Sequence, residues 1–174
     1  MIQAYIGDGK GKTTCAIGLS VRAFGFGKKV LIIFFDKGSK TYSHNELISL
    51  DKLGIKYVVT GLERMQKNGK FRFGVTDEDK NEANKGIELA LNAIKNNEYD
   101  LVILDEVLSS YTYGLLNKDS IIELIRLVPE NLELIMTGRC NDESIIDKCD
   151  LVTSMTKIKH YFDKGTQARP GIEY

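Results

Sequence analysis

Two prolines, three cysteines and a formal net charge of zero in 174 residues withhold the raw material of several architectures. Cys15, Cys140 and Cys149 are too few and too scattered for a zinc knuckle or a disulfide framework, and reduced, structural thiols in the cytoplasm are the expectation. Lys plus Arg equals Asp plus Glu at 24 each, so no basic field draws the chain to nucleic acid or an anionic membrane. No apolar run approaches the length of a membrane span. The N-terminus opens on a strand-like run, not on a basic segment followed by an apolar one. Low-complexity linkers and internal repeats are missing too. What is present is the composition of a soluble globular protein, 43% hydrophobic and 28% charged, in a length that suits one domain, 1–174.

Ile2–Ile6 is a short β-prone run ending at a glycine cluster. From residue 12 to about 24 apolar residues recur at helical spacing (Ala16, Leu19, Ala23), and Gly25 and Gly27 stop the helix. Residues 30–35 are unbroken apolar, the mark of a strand covered on both faces. A helix over about 45–53 and a strand over 56–59 follow. Further helices are predicted over about 77–95, over 119–127 with Pro129 as the stop, and near 143–149. Further strands are predicted over 101–104, 132–136 and 151–154. Alternation of this kind predicts an α/β fold of one domain, with a mostly parallel sheet and helices on both faces. The polar stretch of about 60–76 lacks periodicity and is predicted to be an active-site loop, mobile without ligand. The tail of about 157–174 shows no clear element and is predicted to pack as an ordered arm.

Between the first strand and first helix stands G-D-G-K-G-K-T-T: Gly7, Asp8, Gly9, Lys10, Gly11, Lys12, Thr13 and Thr14. A phosphate-binding loop needs that placement. Its backbone N–H groups turn inward, which glycines at the tight positions permit, and the helix N-terminus adds partial positive charge. In such P-loops the lysine, here Lys12, contacts phosphate oxygens and the following hydroxyl, Thr13, ligates Mg²⁺. The general pattern begins with Gly where this chain has Ile6. Asp105 and Glu106 follow the apolar run L-V-I-L and so end a strand, where ligands bind in open α/β sheets. An acid there holds Mg²⁺ directly or through water; the residues alone do not choose between the two.

These residues lie in a wider pattern that resembles the P-loop type of ATP:corrinoid adenosyltransferase. The resemblance runs through V-R-A-F-G-F-G-K-K-V around Arg22, F-x-K-G at Lys37 and Gly38, V-I-L-D-E, Y-G-L-L from Tyr113, T-G-R ending at Arg139, D-L-V-T-x-M from Asp150, and the tail K-H-Y-F-D-K-G with its final G-I-E-Y. It implies that reduced cobalt attacks the 5′ carbon of ATP and that inorganic triphosphate leaves. The nucleotide is implied to lie reversed in the loop. Mg²⁺ on Thr13 and Glu106 is implied as cofactor, with Glu106 preferred over Asp105, and Arg22 and Arg139 as phosphate-side arginines. A flavoprotein electron donor and a homodimer are also implied. Co(II) is hard to reduce while a lower axial ligand stays attached, and the family displaces it with aromatics in an F-x-W pattern. Here the pattern reads F-R-F, with Phe71 and Phe73 as corrinoid contacts; anchoring of the loop to the core is the plainer use of such rings. Family members often carry an extra N-terminal segment over the corrinoid. This chain begins at the strand, so the tail or a neighbouring subunit is expected to provide cover, or the substrate stays more exposed. His160 is expected to be structural.

Two other readings fit the phosphate loop by itself. A nucleoside or nucleotide kinase would use Lys12 and Mg²⁺ for γ-phosphoryl transfer, but the comparable thymidine kinases carry zinc-binding cysteines that this sequence lacks. A non-catalytic ATP-binding module would have no use for F-R-F or the tail pattern.

Overall fold

The computed structural model describes residues 1–39, 44–64 and 72–174. Its elements run β1 (Ile2–Ile6), α1 (Lys12–Gly25), β2 (Val30–Phe34), α2 (Glu46–Leu53), β3 (Lys56–Val59), α3 (Asp77–Asn96), β4 (Leu101–Asp105), α4 (Val107–Thr112), α5 (Lys118–Leu127), β5 (Glu133–Thr137), α6 (Glu143–Ile146) and β6 (Leu151–Ser154), with a 3₁₀ turn at Tyr161–Lys164. The strands form one six-stranded sheet in the order β3-β2-β4-β5-β1-β6, every pairing parallel. The predicted α/β class with helices on both faces is what the chain adopts. The sequence missed α4, a single short stretch directly after the Asp-Glu pair, and the 3₁₀ turn in the tail.

Side-chain alternation along the strands sorts the core onto two faces. Leu31 and Ile33 of β2 pack with Ala83, Ile87 and Ile94 of α3 and with Ile121 and Leu124 of α5. Val30, Ile32 and Phe34 turn the other way, onto Ala16 and Ala23 of α1 and Leu50 of α2. Ile32, Ile103 and Ile135 are wholly buried, each contributing roughly 1.5–3 kcal/mol by leaving water.

Local signals set the helix ends. Thr76 and Asp79 make a reciprocal capping box at the start of α3. Gly54 ends α2 in the left-handed conformation, and Val128, held extended before Pro129, ends α5. All six strands point their carboxyl ends to one edge, so Ile6, Phe34, Val59, Asp105, Thr137 and Ser154 lie along a common rim. Among the described residues no helix is long and apolar enough to cross a membrane.

Candidate active site

The phosphate loop is closed by main chain. Gly7 and Gly11 adopt φ of 107° and 122°, which side chains rarely tolerate. A Cβ at Gly7 or Gly9 would stand 2.5 or 2.6 Å from the carbonyl oxygen of Met155. That residue follows β6; its N–H donates to the Ile6 carbonyl at 2.8 Å, and its own carbonyl accepts from the Gly9 N–H at 2.7 Å. The chain then enters α1, whose start has no side-chain cap and no acid in its first turn. Its orphan N–H groups and positive dipole end are left for an anion. Lys12 reaches back, its Nζ donating to the Gly9 carbonyl at 2.9 Å. Burial pushes its pKa below the usual lysine range. Gly9 through Thr14, Glu106, His160, Ile172 and Glu173 enclose a cavity of about 230 Å³.

The acidic pair divides into two roles. Asp105 is wholly buried, with Lys37 Nζ donating to Oδ2 at 2.5 Å and Thr137 Oγ1 to Oδ1 at 2.7 Å. Both of its oxygens are thus engaged inside the protein. Glu106 takes a left-handed conformation, φ 62°, at the head of α4, and its N–H donates to Thr137 Oγ1 at 2.9 Å. One hydroxyl therefore links the buried Asp105 to the strained backbone of Glu106, which would otherwise cost about 1–3 kcal/mol to hold. Glu106 itself borders three adjoining cavities, the phosphate cavity among them. Burial opposes the charge on Lys37, but Asp105 outweighs it and the ammonium pKa is raised.

The remaining residues singled out in the sequence fall in different places. Arg139 follows β5, fixed by its N–H to Ser109 Oγ at 2.9 Å and by its carbonyl from Thr112 Oγ1 at 2.6 Å; its charge is felt at both Lys12 and Asp8. Arg22 is not brought to the phosphate loop. It lies in the last turn of α1, roughly 15 Å along the axis from Lys12, and lines a separate cavity with Gln3, Phe26 and Glu133. Asp8 Oδ1 accepts the Lys157 N–H at 3.1 Å, which holds its carboxyl below the ordinary range. Lys10 is taken up by the tail: Nζ donates to Glu173 Oε1 at 2.6 Å, to the Ile172 carbonyl at 2.9 Å and to the Tyr161 hydroxyl at 3.0 Å. Tyr161 also bonds Glu173, so residues 161–173 form a wall over the loop. His160 accepts the Phe162 N–H on Nδ1 at 3.1 Å and caps the 3₁₀ turn. Phe71, and with it the part of the expected mobile loop at 65–71, lies outside the described residues. Phe73 is 86% exposed and so is not sunk in the core.

Beyond Glu106 a larger cleft of about 490 Å³ opens between the chain after β2, the chain after β3 and α4, bordered by Phe35, Lys37, Arg64, Ser110 and Tyr113. The buried Ser110 hydroxyl has no hydrogen-bond partner among the described residues. Sequence reasoning missed the contacts made by Lys37, Thr137 and Glu173. Lys37 and Glu173 fell inside recognised patterns (F-x-K-G and the final G-I-E-Y), but nothing in spacing could pair them with residues 68 and 163 positions away.

A glycine-built anion cradle at the head of a helix, at the carboxyl edge of a parallel sheet and facing an acid on a neighbouring strand, defines a P-loop α/β protein. All 174 residues match the family described as ATP:corrinoid adenosyltransferase BtuR/CobO/CobP, and the chain belongs to that family. It is 32% identical over 180 residues to the corrinoid adenosyltransferase CobA of Salmonella typhimurium, covering 100% of this chain and 85% of that one. It is 31% identical over 176 residues to the corrinoid adenosyltransferase of Escherichia coli K12, with the same coverage. The counterpart in Pseudomonas aeruginosa is 28% identical over 176 residues, 100% of this chain and 83% of the relative.

Proposed function

We propose that this chain transfers the 5′-deoxyadenosyl group of ATP to the Co(I) centre of a corrinoid and releases inorganic triphosphate. One observation carries the reading beyond family membership: the phosphate cavity is not a closed pocket, but meets a second, larger cleft at Glu106. Two reactants could therefore face each other across one carboxylate.

In the reaction the cobalt electron pair forms the Co–C5′ bond while the C5′–O bond breaks. The triphosphate leaves with that bonding pair and the cobalt becomes formally Co(III). The nucleophile belongs to the substrate, so the protein has to align the reactants and offset the charge growing on the leaving group. Lys12, the amides of residues 9–14 and Arg139 are suited to that charge. The residues also fit a Mg²⁺ ion: the Thr13 hydroxyl and the Glu106 carboxylate border the same two cavities and are hard oxygen donors. When bound it would neutralise phosphate charge. Asp105, with both oxygens engaged, orients Glu106 through Thr137. Phe71 and Phe73 are assigned to the corrinoid, and the exposure of Phe73 supports a ligand contact over a core anchor. The same reading gives the chain a flavoprotein electron donor, a second copy as partner and a cytoplasmic site of action.

Purified protein mixed with Mg-ATP and chemically reduced cobalamin tests it. Conversion to adenosylcobalamin in the absorption spectrum, with inorganic triphosphate released, is the expected outcome. Release or transfer of the γ-phosphate without conversion would overturn the reading in favour of a kinase or ATPase.

A further inference from the structure

We propose that Arg72, Asp79 and Arg64 form a clamp that positions Phe73 for the corrinoid, the arginine of F-R-F serving as an anchor and not as a substrate contact. The proposal rests on the corrinoid reading given above.

Asp79 lies in the first turn of α3 with its side chain 1% exposed. Arg72 grips it with both ends of the guanidinium, Nη1 to Oδ2 at 2.8 Å and Nη2 to Oδ1 at 2.6 Å. Paired, parallel bonds of this kind fix direction as well as distance, which a lysine could not do. The Thr76 N–H and hydroxyl donate to Oδ2 at 2.9 and 3.1 Å, so the carboxylate is held from its own helix too. Arg64 completes the cluster. Its Nη2 stands 3.9 Å from Asp79 Oδ1, its Nε donates to Asp36 Oδ1 at 2.9 Å, and its Nη1 donates to the Gly74 carbonyl at 2.9 Å. The backbones of the two arginines meet as well, the Arg72 N–H donating to the Arg64 carbonyl at 2.7 Å.

Phe73 therefore sits between two tied neighbours, Arg72 and Gly74, while the residue itself is 86% exposed. Arg72 is drawn inward onto Asp79 of α3, while the residue that follows it, Phe73, stands in the open. An exposed ring on tethered backbone meets a ligand without first having to be ordered, and that preorganisation favours binding. A mere surface ion pair would not sequester its carboxylate to this degree. Asp36 joins the clamp to the chain leaving β2, next to Lys37, so the aromatic is referenced to the same rim that holds Asp105.

The test compares wild type, Arg72→Gln, Arg72→Lys, Phe73→Ala and the Arg72→Gln/Phe73→Ala double variant in two assays. One starts from chemically reduced Co(I) cobalamin and follows conversion. The other adds Co(II) cobalamin with Mg-ATP and reads by electron paramagnetic resonance the fraction that has lost its lower axial ligand. Arg72→Gln should lower that fraction about tenfold, in keeping with the cost of small misplacements, with Arg72→Lys between it and wild type. With cobalamin at saturation, conversion from Co(I) should stay within roughly twofold, since the chemical step is untouched. On the Phe73→Ala background Arg72→Gln should add nothing, because two residues acting as one unit are not additive. An unchanged axial-ligand signal in Arg72→Gln, parallel loss in both assays, or a full further loss in the double variant would each overturn the clamp. If wild type converts no corrinoid, it is the underlying function that fails; if wild type converts and Arg72→Gln keeps the wild-type axial-ligand fraction, only the clamp does.

Discussion

On the phosphate side of Glu106 the loop over residues 7–14 is held by main chain, with Gly7 and Gly9 pressed against the Met155 carbonyl and the Gly9 N–H bonded to it. On the far side the rim is held mainly by charge: Arg64 on Asp36, and Arg72 on Asp79. Backbone contacts accompany these pairs, among them the Arg72 N–H on the Arg64 carbonyl and the close approach of Gly38 to Gly61. Main chain offers the same donors whatever the side chains, and at Gly7 and Gly9 it leaves no room for an added atom. Charge pairs depend on which residues occupy the rim, on pH and on salt. They allow the far half to be tuned without disturbing the cradle.

Breaking the phosphate half should have the largest consequences. Lys12→Ala removes the half-buried ammonium that we propose faces the leaving triphosphate, and the transfer rate should fall by about 10²–10³-fold, the usual loss for one such electrostatic contact. A single-turnover assay from Co(I) cobalamin checks it; a loss in nucleotide affinity alone, with the rate preserved, would assign Lys12 to binding only. Gly9→Ala comes next. Its methyl group would stand 2.6 Å from the Met155 carbonyl, closer than packing allows, so loop and β6 end must separate. Calorimetric titration with Mg-ATP should show affinity at least about tenfold weaker, or roughly 1.4 kcal/mol. Unchanged binding would mean that the main-chain closure is not what shapes the cradle.

The same contrast governs how much could be read in advance. Strands, most helices and the phosphate loop were legible because periodicity and glycine placement are local. Asp105 and Glu106 were legible as a pair, but only the resemblance, not the residues themselves, set Glu106 apart. Their division depends on Lys37 and Thr137, which the parallel pairing of β2, β4 and β5 brings alongside. The Arg72–Asp79 clamp spans only seven positions yet went unseen, since neither an arginine between phenylalanines nor an acid in a helix's first turn is unusual by itself. α4 was missed because six residues give too little periodicity. Arg22 was grouped with the phosphates by resemblance, and the length of α1 separates them.

Between the two halves stands Thr137, and Thr137→Val sharpens the comparison with a smaller effect. The valine keeps the shape but leaves the Glu106 N–H and one oxygen of buried Asp105 without the hydroxyl. An unsatisfied buried group costs about 1–3 kcal/mol, to be read as a lower denaturant midpoint with unchanged slope. Corrinoid conversion should fall with it, because Glu106 loses its orientation. Full activity at reduced stability would show that Glu106 holds its position without the link.

The smallest effect separates the charge-held half by pH. The Arg72 guanidinium, followed by the Thr76 donors, holds the Asp79 carboxyl well below the usual carboxylate range against the opposing push of burial. A carboxyl whose folded pKa is depressed adds stability above its unfolded value, about 3.9, and loses that contribution as pH falls below it toward the folded one. The stability difference between wild type and Asp79→Asn should therefore be level from about pH 5 to 8 and shrink below about pH 4. Added salt should reduce it modestly, since the Arg72 side chain is 25% exposed. Gly9→Ala, whose methyl meets main-chain atoms of Met155 and Thr156, touches charge only through the exposed Asp8 contact to the Lys157 N–H and should show the weaker acid dependence relative to wild type. If both differences stayed level into acid, charge would not be what holds the far rim, and the distinction between the two halves would fail at its physical root.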